Sequence, residues 1–358
     1  MIQRWQVGII FINMQLSLGY IIYPDLIYKS TYSGHWEVVL CQSLFQLILI
    51  LIYIKGLNYF PNKDVIDIYM KMGRWAAFLI LIPFAIHLIV IVGLNLRIHT
   101  EVIRLVFLPR TPFWAILALL FYVSAYTAVK GLPTIFRSSN FIFFTAIPLV
   151  IFIIASSITN FDFHNASPIW QLSFKFIVKK PFLYSLGISP LLFLGLIASK
   201  SKINFSRISL AWAIVTIFFL SFVYIPLFIF GAETVHTFQF SFMDAINSVD
   251  IRWFALNRAA MFFCISFSAF TILYNSAILW MIGRIMWKMI DCHFIKTSYW
   301  ITAFSLIAFI MALFLTNWAW VEKLLRWDTM INLYAMIIIP VSIFFYGVLT
   351  QRNVTEHD

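Results

Sequence analysis

The sequence predicts an all-α polytopic membrane protein of ten transmembrane helices, with an internal inverted repeat and helices 1 and 6 broken. Three observations predict this. Hydrophobic residues make up 62% of the chain and charged residues only 11%, with a mean hydropathy of +0.92, whereas a soluble domain carries about 25% charged residues. The apolar residues fall in continuous runs, and roughly 20 of them cross the hydrocarbon layer as a helix; barrel strands would alternate in character instead. Finally, two runs are interrupted alike. Ser17-Leu18-Gly19-Tyr20-Ile21-Ile22-Tyr23-Pro24 is echoed 168 residues later by Ser185-Leu186-Gly187-Ile188-Ser189-Pro190. Glycine weakens a helix, and Pro24 lacks the N–H that the Tyr20 carbonyl would otherwise receive. Either stretch alone reads as an ordinary proline kink. As a pair at one offset they point to an inverted-repeat architecture, in which unwound backbone at the midplane lines a ligand cavity.

Taken in order, the spans are expected at about 6–28, 36–57, 74–96, 113–130, 140–159, 181–199, 208–230, 253–282, 298–317 and 329–350. Residues 1–358 form one transmembrane domain, with a first repeat at 7–160, an inter-repeat loop at 161–180 and a second repeat at 181–350. Of the 25 Lys and Arg residues, 14 fall on the side that holds the N-terminus. This bias places both termini inside. Segment 59–74 reads as a turn and a short amphipathic helix whose Val65, Ile66, Ile68, Tyr69 and Met72 lie along the membrane surface. In segment 97–112, Arg97, Glu101 and Arg104 share one helical face, which reads as solvated and interfacial.

The net charge of +11 is spread over the connections, and no nucleic-acid-binding pattern accompanies it. Its expected roles are topology and attraction to anionic lipid. Cys41, Cys264 and Cys292 are far apart, and the histidines show no ligand spacing, so neither a metal site nor a cofactor is expected. No phosphate-binding glycine loop or catalytic grouping sits near a span centre, so the chain is not expected to be an enzyme. His87 is the one clear ionisable residue in mid-span, four residues after Pro83. An ionisable group at that depth is a functional candidate, set against a histidine bonded to a backbone carbonyl within the bundle. In span eight, Ser268, Thr271 and Asn275 share a face that either supplies hydroxyls to a ligand or sodium ion, or bonds neighbouring helices.

From Gly19 to Pro24, through Phe60-Pro61, the Arg97–Glu101 face and Leu108-Pro109-Arg110-Thr111-Pro112, to Gly131-Leu132-Pro133-Thr134-Ile135-Phe136-Arg137, the chain resembles the spore-germination receptor B subunits. These form the spore permease family of the amino acid–polyamine–organocation superfamily. The resemblance implies two inverted five-helix repeats. It also implies a nutrient-sensing role in the spore inner membrane, beside an A subunit and a lipoprotein C subunit. The germinant, an amino acid or similar small molecule, would bind between helices one, three, six and eight. Carried over by motif, its contacts are Ser17, Leu18 and Gly19 on helix one, His87 and Ile91 on helix three, and Ser185, Gly187 and Ile188 on helix six. Thr271 and Asn275 on helix eight rest on their shared face alone. The family often has Gly-x-Glu in helix six, where this chain has Gly187-Ile188-Ser189. The acid that would engage a ligand ammonium is missing there, which counts against a simple zwitterionic amino acid. An ion-coupled secondary transporter of amino acids or amines is the alternative function, and a scaffold with a vestigial pocket is a third.

Overall fold

Glycine and proline punctuate a chain that is otherwise helix. The computed structural model describes residues 5–170, 174–197, 203–249, 259–290 and 296–355. The first half holds α1 (Gln6–Gly19), α2 (Tyr23–Ser30), α3 (His35–Asn58), α4 (Val65–Met72), α5 (Arg74–Val106), α6 (Phe113–Val129) and α7 (Leu132–Ser157). Short 3-10 turns lead to the second half: α8 (Lys180–Leu186), α9 (Phe193–Leu196), α10 (Phe205–Phe230), α11 (Ala232–Val235), α12 (Ser241–Asn247), α13 (Ala259–Ile290), α14 (Thr297–Phe314) and α15 (Trp318–Thr355). Among the described residues, seven helices are long and apolar enough to cross a membrane: α3, α5, α7, α10, α13, α14 and α15. The other three expected crossings fall on the 17-residue α6 and on the two broken pairs, α1/α2 and α8/α9.

The protein is a multi-pass membrane protein, and burial sorts its helices. The most apolar stretch of α13 is 72% buried and that of α14 only 22%, so α13 is the central post and α14 a peripheral one. α13 packs against α5, α6, α7, α14 and α1, while α15 packs against α3, α5 and α8. The two breaks meet through α2, which lies against α8.

Three expectations are corrected. α5 does not end at 96 but continues through Arg97 to Val106, with Arg97 paired to Glu101 at 3.4 Å and its guanidinium over the Phe113 ring. The charged face is therefore the last part of a span, tied to the next helix. α15 begins at Trp318 rather than near 329, because Glu322, Lys323 and Arg326 sit on a helix that the apolar pattern alone does not reveal. α4 is the expected short helix, opened by a reciprocal Asp64–Asp67 capping box. Its apolar residues Val65, Ile66, Ile68 and Tyr69 are buried in the protein against α5 and neighbouring helices rather than spread on the bilayer. Gly73, at φ +141°, turns the chain from α4 directly into α5, a conformation that costs glycine little.

Candidate functional site

A helix that stops in mid-membrane leaves carbonyls without partners, and each one needs a donor from elsewhere. The second break shows where those donors come from. Gln42 Nε2 donates to the Ser185 carbonyl at 2.8 Å, and Gln46 Nε2 to Leu186 at 3.3 Å, both from α3. Tyr53 of α3 donates to the Leu192 carbonyl at 3.2 Å. From α15, Asn332 Nδ2 donates to the carbonyls of Gly187, at 2.7 Å, and Ser189, at 3.1 Å. Gln15 of α1 donates to Ser189 Oγ at 2.8 Å, which ties one broken span to the other. The break is thus a built feature, its carbonyls satisfied from α3 and α15 and its Ser189 hydroxyl held from α1.

Beside it lies a small cavity lined by Ile22 from the first break, His87 and Ile91 from α5, Gly187 and Ile188 from the second break, Tyr274 from α13, and Leu325, Asp328, Thr329 and Asn332 from α15. Its free interior is about 10 Å³, roughly the room of one water. His87 Nδ1 and Asp328 Oδ1 are 2.8 Å apart, and both side chains are buried. In the tautomer with the hydrogen on Nδ1, Nδ1 donates and Oδ1 accepts. Asp328 Oδ2 is buried with no partner. A wider groove of about 660 Å³, bordered by Trp36, Ile154, Trp170, Leu220 and Phe228, lies elsewhere, and no charged side chain lines it.

The expected site residues divide in two. His87, Ile91, Gly187 and Ile188 come together at the cavity. Ser17, Gly19, Ser185, Thr271 and Asn275 are not among its lining residues. The side chain of Leu18 lies outside the described residues. Ser185 Oγ donates to the Phe182 carbonyl within its own helix, and Thr271 does the same to Phe267. Asn275 accepts from Asn95 of α5 at 2.9 Å, which is the bonding between neighbouring helices weighed for that face. Ser17 is buried with its hydroxyl unpartnered. Gly19 is small because Phe219 lies over it: a Cβ there would stand 2.5 Å from Cε1 of that ring. Gly187 is pressed on the backbone of Thr329. The space at both glycines is filled by protein. Missed altogether were the contributions of α15. Asp328 fell just outside the expected tenth span, and its partner is 241 residues away. Of the described residues that line the cavity, Asp328 is the one acidic residue, while Ser189 accepts from Gln15. Among the described residues no cluster of His, Cys, Asp and Glu could hold a metal ion.

The chain's relatives agree with this architecture. A family model described as spore germination protein matches residues 1–319. The spore germination protein YndE of Bacillus subtilis is 26% identical over 167 residues, an alignment covering 46% of each chain. This chain thus spans about half the length of that relative. GerQB of Bacillus cereus, also a spore germination protein, is 23% identical over 95% of this chain and 94% of its own length. Among solved structures, MhsT in complex with L-phenylalanine superposes with a TM-score of 0.61 at 13% identity, covering 93% of this chain and 87% of its own. A manganese transporter of Eremococcus coleocola gives a TM-score of 0.66 at 14% identity, over 94% of this chain and 78% of its own. These likenesses establish a fold shared with membrane transporters, and the match over most of the chain establishes more: the protein belongs to the spore permease family of spore germination proteins.

Proposed function

We propose that the chain is the nutrient-sensing membrane subunit of a spore germination receptor. In this reading it binds a small molecule at the cavity beside the paired breaks and signals to A and C (lipoprotein) subunits. One observation carries the proposal: the buried His87–Asp328 pair lines a cavity formed where both broken spans meet α5, α13 and α15. Ionisable residues at membrane depth are costly and mark function by default. The halves 7–160 and 181–350 are read as inverted repeats, which puts the breaks at equivalent places. Signalling follows from differential binding. A ligand that binds one arrangement of the bundle about 100-fold better than another contributes roughly 2.7 kcal/mol to the shift, with no translocation required.

The transporter fold of MhsT and the manganese transporter favours a second reading, ion-coupled uptake of amino acids or amines. One experiment separates the two. Purified full-length chain in liposomes under an imposed sodium or proton gradient is tested for uptake of labelled amino acids, and a deletion strain is tested for nutrient-triggered germination. The receptor reading expects a germination defect and no uptake. Gradient-driven uptake with normal germination of the deletion strain overturns it.

A further inference from the structure

We propose that the carboxylate of Asp328 is the anchor for a protonated amine on a small ligand with an aliphatic body, held in the cavity beside the second break. The proposal rests on the small-ligand reading of that cavity.

The argument begins with the bare oxygen. Asp328 is 1% exposed, and only Oδ1 is engaged, by His87 Nδ1. Oδ2 is enclosed without any donor, on a residue that lines the cavity. A buried charged acceptor without a donor is among the costlier states in a protein interior, and an N–H of a ligand relieves it.

The chemistry of the bare oxygen then favours the ligand's sign: an ammonium offers Oδ2 the donor it lacks together with the charge opposite to a carboxylate's. The other lining residue that can titrate is Tyr274, from α13. The nearby Arg326 of α15 is half exposed and turned to Glu322, at 3.4 Å, so it does not neutralise the cavity. An ammonium meets the Asp328 carboxyl group as a donor, whereas a ligand whose one polar group is a carboxylate brings no donor and sets two acidic groups together in a medium of low dielectric. Ile22, Ile91, Ile188 and Leu325 form the aliphatic part of the lining, beside Gly187, Thr329 and Asn332, and match a branched aliphatic chain.

The same helix explains how such a ligand is felt at the break. Asn332 stands one turn beyond Asp328 on α15 and grips the carbonyls of Gly187 and Ser189. Residues four apart share a helix face. The cavity now has room for about one water, so a ligand parts its walls, and the α15 surface that holds the ligand is the surface that holds the break.

The test uses full-length protein in lipid nanodiscs and three probes of one shape: 3-methylbutylamine, L-leucine and 4-methylpentanoate. 3-Methylbutylamine is expected to raise the unfolding temperature most, L-leucine less because its carboxylate opposes the gain from its ammonium, and 4-methylpentanoate not at all. Asp328→Asn is expected to weaken 3-methylbutylamine binding by about tenfold or more. Equal or tighter binding of 4-methylpentanoate overturns the proposal, as does unchanged amine binding by Asp328→Asn. The probe series on the unmodified chain decides the ligand's sign even if that variant does not fold. Binding of 4-methylpentanoate alone sinks the anchor and leaves the small-ligand reading intact. If no probe binds and deletion leaves nutrient germination normal, both fall.

Discussion

Gly187→Ala probes a close approach between the second break and α15. A Cβ added at residue 187 would stand 2.9 Å from the carbonyl carbon of Thr329 and closer still to its oxygen, distances that real side chains do not show. The obstacle is backbone in the interior of α15, so no rotamer change relieves it; the helix has to move. Overpacking of this kind costs about 1–3 kcal/mol. Moving α15 also stretches the bonds from Asn332 to Gly187 and Ser189, at 2.7 and 3.1 Å, and each buried carbonyl left bare adds about 1–3 kcal/mol. A loss of about 2–6 kcal/mol is therefore expected if one of those bonds goes with the overpacking. Gly19→Ala is the internal control. Its added Cβ meets the Phe219 ring, which can turn aside, so about 1–2 kcal/mol is expected. Thermal unfolding of both purified variants, followed by tryptophan fluorescence, gives the comparison. If Gly187→Ala unfolds at the temperature of the unmodified protein, or Gly19→Ala proves the more damaging, the account of α15 as the clamp on the break is wrong.

His87→Leu removes the partner of Asp328 and leaves a buried acceptor without its hydrogen bond, a loss of about 1–3 kcal/mol. In spores it is expected to change the nutrient concentration that triggers germination, measured as a dose–response of optical-density loss; an unchanged response at normal protein level would remove His87 from the site. At the far end of α13, Arg284 and Lys288 reach the Asp64 carboxylate at 2.7 and 2.8 Å, fastening α4 to the central helix. Asp64→Asn is expected to destabilise by about 3 kcal/mol, at the low end for a buried ion pair because Arg284 is partly exposed, and to open the 59–74 segment to protease. Asp67 in α4 adds a pH dependence. Partial burial pushes its carboxyl up, but the Lys288 ammonium and the Asp64 amide outweigh this and hold it below the usual carboxylate range. Such a group contributes stability above its unfolded value, near 3.9, and that contribution is lost as pH falls through its folded value. Protease sensitivity of the segment is thus expected to rise only in strong acid, and a rise between pH 5 and 7 would assign the fastening to another group.

The sequence by itself determined the solvent, most of the spans and both breaks. All three follow from properties local to a segment: the length of an apolar run sets what crosses the bilayer, and Gly19 with Pro24 or Gly187 with Pro190 sets where a helix gives way. Four of the cavity residues, His87, Ile91, Gly187 and Ile188, were legible for the same reason, since each stands on or beside such a feature or follows from a motif. What only the tertiary structure decided is which side chains the breaks and His87 meet. Asp328 sits in a charged stretch that lowers its segment's hydropathy, so the pattern assigned it to a loop; packing of α15 on α5 carries it to His87 across 241 residues. Gln42, Gln46 and Asn332 look like scattered polar interruptions until their helices place each one opposite a stranded carbonyl. The amphipathic face of α4 cannot tell lipid from protein, because both are apolar, and the surrounding bundle made it part of the interior. Pairings between distant segments depend on how helices pack, and hydrophobic pattern carries almost none of that information.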